Sequence, residues 1–260
     1  MPPESVSLYH YHACAHAFSG RFIRPFDHLI DVQAASALPI IGGHGDARVE
    51  NFAYRQFVSF KNGYSHVSGG HQADDESNNT LVTATLERLN ILDILTADRI
   101  VARLYSKHLP GKPEGSITMV GSKFENLRIA GCPVHIELDF DLFEEVPTFE
   151  QAQNMFAKND KFKKMAQSLL KPGKKLDPKD PHGAFLCSIV KEMDTTCPGV
   201  TRSGHCFHVP GFGKIFLAEV LISHGMRTLT MFRLELGSSI SGSGTGAAVT
   251  ANGRTWPPTG

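Results

Sequence analysis

Between Asn79 and Asp139 the chain repeats one pattern: apolar and polar residues take turns, and the runs are cut by short turn-forming segments. Leu81 to Leu89 alternates in this way. So does Arg99 to Ser106, where Ile100, Ala102 and Leu104 form one set and Arg99, Val101, Arg103 and Tyr105 the other. A period of two sends successive side chains to opposite faces of a strand. Phe124 to Leu138 continues the pattern and is interrupted at Gly131-Cys132-Pro133, because a proline cannot donate to a central ladder. Short alternating strands separated by turns predict a mainly β chain, an antiparallel β sandwich of jelly-roll kind. A β-solenoid is the alternative, since Ala97-Asp-Arg-Ile and Asn126-Leu-Arg-Ile share a local pattern.

The flanking regions add strands and one helical insertion. Val6 to Phe22, Phe26 to Gln33 and Val49 to Tyr64 read as strands, and polar Ser68 to Asn79 as an exposed loop. From Thr148 the apolar residues Phe149, Ala152, Phe156, Phe162 and Leu169 recur at helical spacing. Thr148 suits the N-cap, and Asn159-Asp160 splits the helical stretch in two. Ala184 to Met193 fits a strand or a short helix equally. His205 to Val209, Lys214 to Ser223 and Arg227 to Leu236 are strands, the last two joined at His224-Gly-Met226. The expected organisation is one β-rich domain over residues 1–237, with the helical insertion at 148–171. Residues 238–260, rich in Ser and Gly, are expected to be a flexible tail. The tail carries the only tryptophan, Trp256, beside Pro257-Pro258, a pairing suited to docking on a neighbouring subunit.

Lys plus Arg and Asp plus Glu number 26 each, which argues against nucleic acid as a partner. No apolar run approaches the ~20 residues of a membrane span. Met1-Pro-Pro-Glu-Ser lacks the basic and apolar regions of a signal peptide, so a cytoplasmic location is expected, with export only by a non-classical route. The cysteines Cys14, Cys132, Cys187, Cys197 and Cys206 are odd in number and form no Cys-x-x-Cys. They are expected to be reduced thiols packed as small hydrophobes.

One segment could carry metal chemistry. His10, His12, Cys14 and His16 share one face of a strand, and imidazole and thiolate are good zinc ligands. The row would span roughly 20 Å at a rise of ~3.3 Å per residue, so only two of these groups plus a distant ligand could share an ion. His10, His12 and His16 are therefore the candidate zinc ligands, set against a reading with no cofactor. Gly42 to Asp46 reads as a turn, Asp74-Asp-Glu76 as solvated loop charge, and Glu137, Asp139 and Asp141 as same-parity carboxylates. No phosphate-loop pattern and no Gly-x-Ser-x-Gly elbow occurs.

Several short signatures follow one another in order: Asn90-Ile-Leu-Asp, Thr96-Ala-Asp98, Ser122-x-Phe-x-Asn-Leu-x-Ile-x-Gly131, and late Gly213-Lys-Ile-x-Leu. This order resembles a bacterial β-rich family of uncharacterised role and, more distantly, the "choice-of-anchor" surface proteins. The resemblance implies a β fold and an exported relative, and it brings no catalytic residue. The functional expectation is a structural or binding β protein, more a non-enzyme than an enzyme, acting as a homo-oligomer. The alternatives are a metal-dependent enzyme on the His10/His12/Cys14/His16 face and a toxin-like carbohydrate- or ligand-binding module using Tyr54, Tyr64 and Tyr105.

Overall fold

The computed structural model of the chain describes residues 8–168, 183–237 and 239–256. Its strands open with β1 (Leu8–Arg24), β2 (His28–Gln33), β3 (Ser36–Ala37), β4 (Gly43–Tyr54), β5 (Val58–Gln72) and β6 (Ser77–Ile91). They continue with β7 (Leu95–His108), β8 (Ser116–Thr118), β9 (Lys123–Glu125), β10 (Arg128–Ile129) and β11 (Cys132–Leu138). Helices α1 (Phe140–Glu144), α2 (Phe149–Lys158) and α3 (Asp160–Ser168) follow. Strands β12 (Phe185–Ser188), β13 (Val190–Thr195), β14 (Thr201–Ser203) and β15 (Cys206–Val209) come next. The last three are β16 (Gly213–Ser223), β17 (Met226–Leu236) and β18 (Ser241–Trp256).

These strands make two antiparallel sheets. The first runs β14-β15-β16-β17-β18-β1-β2, with β12 on β16 and β3 on β1. The second runs β13-β11-β10-β7-β6-β5-β4, with β8 and β9 on β7. The expected antiparallel β sandwich is therefore what forms; among the described residues the sheets close into no barrel and stack into no solenoid. The alternation seen in the sequence lines the core: Ile100, Ala102 and Leu104 are fully buried, and Val82, Ala84 and Leu86 match them on β6.

Strict alternation does not run the length of the strands. In β1 the inward residues are Tyr9, Tyr11, Ala13, Ala15 and Ala17, and then Phe18 and Phe22. The same change of parity occurs at Gly246/Ala247 in β18, Met231/Phe232 in β17 and Leu217/Ala218 in β16. Register places the four together, with Phe18 opposite Gly246, Gly246 opposite Phe232, and Phe232 opposite Leu217. Ala218 and Ala247 sit at φ 50° and 46° on this line. The second sheet has its own line, between Phe60 and Gly63, Leu86 and Leu89, and Ala97 and Ile100, with Asn51 and Arg88 at φ 51° and 55°. A single left-handed residue re-aims the side chains that follow it, as a bulge does.

The strand expected over Val49 to Tyr64 is a hairpin with its turn at 55–57, and the turn expected at Gly42 to Asp46 is strand from 43 onward. Three further expectations about elements change. Residues 68–79 are not an open loop: β5 and β6 continue into a tight turn over 73–76. Asp75 there accepts from the Ser77 N–H at 3.1 Å and pairs with Lys107 at 2.5 Å. The ambiguous Ala184 to Met193 becomes two strands, β12 in the first sheet and β13 in the second.

The third change concerns the expected flexible tail. Ser241–Trp256 is the strand between β17 and β1, near the middle of the first sheet. Its small residues make room for large ones. A Cβ on Gly246 would strike the Phe232 ring and come within 3.0 Å of Leu86. One on Gly242 would collide with the Arg21 carbonyl. The Trp256 side chain and residues 257–260 lie outside the described residues, and so does the expected docking contact.

The helical insertion matches its signals. Thr148 and Gln151 form a capping box on α2, and Asn159 leaves helical geometry between α2 and α3. Phe149, Ala152, Phe156, Phe162 and Ala166 are buried, while Lys158, Lys161, Lys163 and Lys164 are exposed. Leu169, also expected at this contact, lies outside the described residues. Phe149, Phe156 and Phe162 meet Phe185 of β12, with ring centroids 5.4, 5.3 and 6.4 Å apart. Asp139 accepts from the Leu142 N–H as the cap of α1, so the run of same-parity carboxylates ends there.

The crowding at Gly246 yields a test. Gly246→Val should lose about 2 kcal/mol or more of stability through overpacking. Gly70→Ala, where an added Cβ meets nothing within 4 Å, should stay within about 0.5 kcal/mol of the parent. Urea unfolding midpoints measured on both variants check this.

Candidate functional site

Two features of the first sheet stand out: a charged notch on its outer face and an apolar stripe along its β2 edge. The notch arises at the change of parity. Ile215 and Leu217 point inward before it, and Ala218, Val220 and Ile222 after it. Phe216 and Glu219 therefore both face outward, flanking two consecutive inward residues. Arg233 of β17 stands opposite Phe216 and reaches across the line to Glu219.

Glu219 and His205 are each 6% exposed. Arg233 grips the carboxylate with two bonds, Nε to Oε2 at 2.6 Å and Nη2 to Oε1 at 3.0 Å. His205, next to the turn glycine Gly204, places Nε2 3.3 Å from Oε1 and donates there when the proton is on Nε2. The Arg233 guanidinium also lies 3.8 Å over the Phe216 ring and donates to Glu235 at 2.6 Å. Burial pushes the Glu219 carboxyl up, but the bonds from His205 and Arg233 outweigh it and hold the group below its ordinary value. Burial raises the neighbouring Cys206 thiol to about 11, so it is protonated at neutral pH. The cavity here, about 180 Å³, is also lined by His208 and Lys214. Chemically, the carboxylate anchors an arginine and orients an imidazole.

The sequence reading did not single out this group. Its signal was a lone acid in the apolar run Ile215-Phe-Leu-Ala-Glu-Val-Leu-Ile. The residues that were singled out lie elsewhere on the same face. His10, His12, Cys14 and His16 project outward from β1, as parity requires, with Tyr9, Tyr11, Ala13 and Ala15 buried behind them. Across the ladders, His12 faces Asn252, Cys14 faces Thr250 and Ala37, and His16 faces Ala248. Burial lowers the His16 pKa. Among the described residues no three His, Cys, Asp or Glu side chains gather around one point. Of the candidate aromatics, Tyr54 stacks on His28 at 4.2 Å and Tyr64 accepts from Arg99 at 2.9 Å, while Tyr105 is exposed. The three are dispersed over β4, β5 and β7.

The apolar stripe follows the chain from β1 into β4. Residues 28–41 run antiparallel along β1, through the β2 and β3 ladders and the bonds Leu38 N–H to Ala13 O and Tyr11 N–H to Ile40 O. Ile23, Phe26, Leu29, Val32, Ile40 and Ile41 are exposed within residues 23–41, six of the nine exposed large apolar residues described. Leu29 and Val32, with Arg233 and Glu235 on the far side, border a groove of about 540 Å³ on the outer face.

Fold and features together define an antiparallel β sandwich with a helical insertion packed on β12 and an apolar free edge. The chain belongs to the family described as Domain of unknown function (DUF8256), whose model matches residues 9–179 and 170–223. No curated protein and no solved structure matches the chain. Among the described residues no helix is long and apolar enough to cross a membrane.

The anchored carboxylate makes stability pH-dependent in a known direction. A carboxyl with a lowered pKa in the folded state stabilises above its unfolded value of about 4.3, and that contribution disappears as pH falls through the folded value. Glu219→Gln should cost about 2 kcal/mol at pH 7, since it takes the two-bond carboxylate from a partly buried guanidinium and leaves it Glu235 alone. The gap between variant and parent should narrow below about pH 4. Denaturant titrations at a series of pH values measure it.

Proposed function

We propose that this protein is a structural or binding β sandwich that works as a homo-oligomer, assembled through the edge formed by β2 and β3. The observation that carries this reading is the concentration of exposed Ile, Leu, Val and Phe within residues 23–41, the stretch that contains that edge. An edge strand offers unpaired N–H and C=O groups to another strand, and folded proteins usually blunt such edges with charge or keep them short. Three other strands at the ends of the sheet paths, β4, β13 and β14, follow that rule. β4 carries Asp46, Arg48 and Glu50, with Arg48 and Glu50 paired at 2.8 Å. β13 carries Lys191, Glu192 and Asp194, and β14 is three exposed residues long. β2 carries a single acid, Asp31, and presents Leu29 and Val32 on either side of it, with Ile23 and Phe26 close by in the chain.

A second copy is the occupant that the stripe favours. An antiparallel edge meets its own mate about a two-fold axis, so one patch serves both subunits and the contact closes. Pairing would cover the apolar side chains and satisfy the strand backbone together. The proposed role follows: the sandwich is a rigid unit, and β2 sets how units join.

A polar depression on the second sheet, of about 490 Å³ and lined by Arg48, Asn62, Tyr64 and Glu87, favours a second reading as a polar-ligand module. A glycan or small-polyol screen by calorimetry tests that reading separately.

For the assembly, the double variant Leu29→Glu, Val32→Lys should weaken self-association about tenfold or more, given ~1 kcal/mol or more from each buried apolar contact. Thr201→Glu, on the far edge, should leave it unchanged. Sedimentation velocity across a concentration series reads the effect. A parent that stays monomeric at every concentration would overturn the proposal.

A further inference from the structure

Cys132 opens β11 and Cys197 lies just beyond the end of β13. These strands form one antiparallel ladder in which Ile136 faces Met193, His135 faces Asp194 and Val134 faces Thr195. Two further steps of the same register bring Cys132 opposite Cys197. One bond links the two segments past the last ladder pair, from Thr195 Oγ1 to the Pro133 carbonyl at 3.0 Å, and the same hydroxyl accepts from the Cys197 N–H at 3.4 Å within its own segment. Residues directly opposite in an antiparallel pair have Cα atoms about 4.5–5.5 Å apart. Disulfides span Cα separations of about 4.4–6.8 Å. The two side chains interact, and that contact holds the Cys197 thiol above its ordinary pKa.

We infer that Cys132 and Cys197 are a dithiol–disulfide site, oxidised by exchange with a small-molecule disulfide of the glutathione class, that staples edge strand β13 to β11. Cys132 is partly exposed and Cys197 is buried, so exchange starts at Cys132. Its thiolate attacks one sulfur of the reagent; the mixed disulfide forms as the reagent's S–S bond breaks, and one thiolate leaves. The Cys197 thiolate then attacks Cys132 Sγ and expels the second thiolate. The protein pair loses two electrons, the reagent gains them, and the two cysteine protons end on the two released thiols.

The remaining cysteines are placed differently. Cys187 is fully buried with its thiol pushed to about 12, Cys206 is buried with its thiol at about 11, and Cys14 faces Thr250 and Ala37. The bond would close the stretch from 132 to 197, which contains α1, α2 and α3, so it would tie the whole insertion to the sheet at its base. This holds whether or not copies of the chain associate.

The test uses the full chain carrying Cys14→Ser, to prevent cross-linking between molecules. It is equilibrated with oxidised glutathione or with a phosphine reductant. Non-reducing peptide mapping by mass spectrometry should show one new species, the Cys132 and Cys197 peptides joined and two hydrogens lighter. The thermal midpoint of the oxidised form should rise by about 5 °C or more, as expected for closing a long loop in a chain of this size. Cys132→Ser and Cys197→Ser should each abolish the joined peptide and the rise, the latter leaving glutathione on Cys132. Cys132 and Cys197 both recovered as free thiols, or each carrying its own glutathione, would overturn the assignment. So would a linkage mapped to any other pair; because the mapping reads the parent, it decides even if a serine variant fails to fold.

Discussion

Phe18 and Phe232 converge over Gly246, and the first sheet is organised around that meeting. The rings come from β1 and β17, on either side of β18, with centroids 6.3 Å apart. Only hydrogen fits at Gly246, because Phe232 occupies the space a Cβ would need and Leu86 of the opposite sheet closes it from the other side. Large rings from adjoining strands therefore interlock with a strand of small residues, and together they reach the facing sheet. Such packing is favourable because aromatic side chains bury large areas, and it is unforgiving because close-packed interiors cannot absorb an added methyl group. It also pairs β1 with β18, so the first and last of the described strands are neighbours in mid-sheet.

The same line across the sheet produces the charged notch. Two adjacent inward residues in β16, Leu217 and Ala218, leave Phe216 and Glu219 facing outward on either side of them. Glu219 is buried at this point, and it is tolerable there because Arg233 and His205 satisfy it. A buried carboxylate held by a guanidinium and an imidazole is stable only while each partner is present. The network belongs to the outer face of the strands that frame the core packing, and so links surface charge to core geometry.

Much of this was legible in the sequence where one local rule governs. Ile100, Ala102 and Leu104 alternate over a stretch with no change of parity, and their burial follows. Thr148, Gln151 and Asn159 mark the ends of α2 by side-chain chemistry that is local to the turn. The changes of parity were not legible, because they rest on left-handed Ala218, Ala247, Asn51 and Arg88 rather than on glycine. No local preference announces them; the ladder on both sides imposes them. Ser241 to Trp256 misled for a related reason. Small residues signal freedom in an isolated segment and space for a neighbour's ring in a packed one, and the segment alone does not distinguish the two. The opposition of Cys132 and Cys197 and the Glu219 network likewise come from register between distant parts of the chain.

The proposed assembly depends on a contrast between edges. Charged β4 and β13 and short β14 are protected against pairing, whereas β2 combines exposed apolar side chains with a position at the end of its sheet. Hydrogen–deuterium exchange on the parent protein, compared at low and high concentration, tests this most directly. The account predicts that protection of the amides in residues 28–33 rises with concentration while β4 and β13 stay unchanged. Exchange in β2 that is independent of concentration, or new protection confined to another edge, would contradict it.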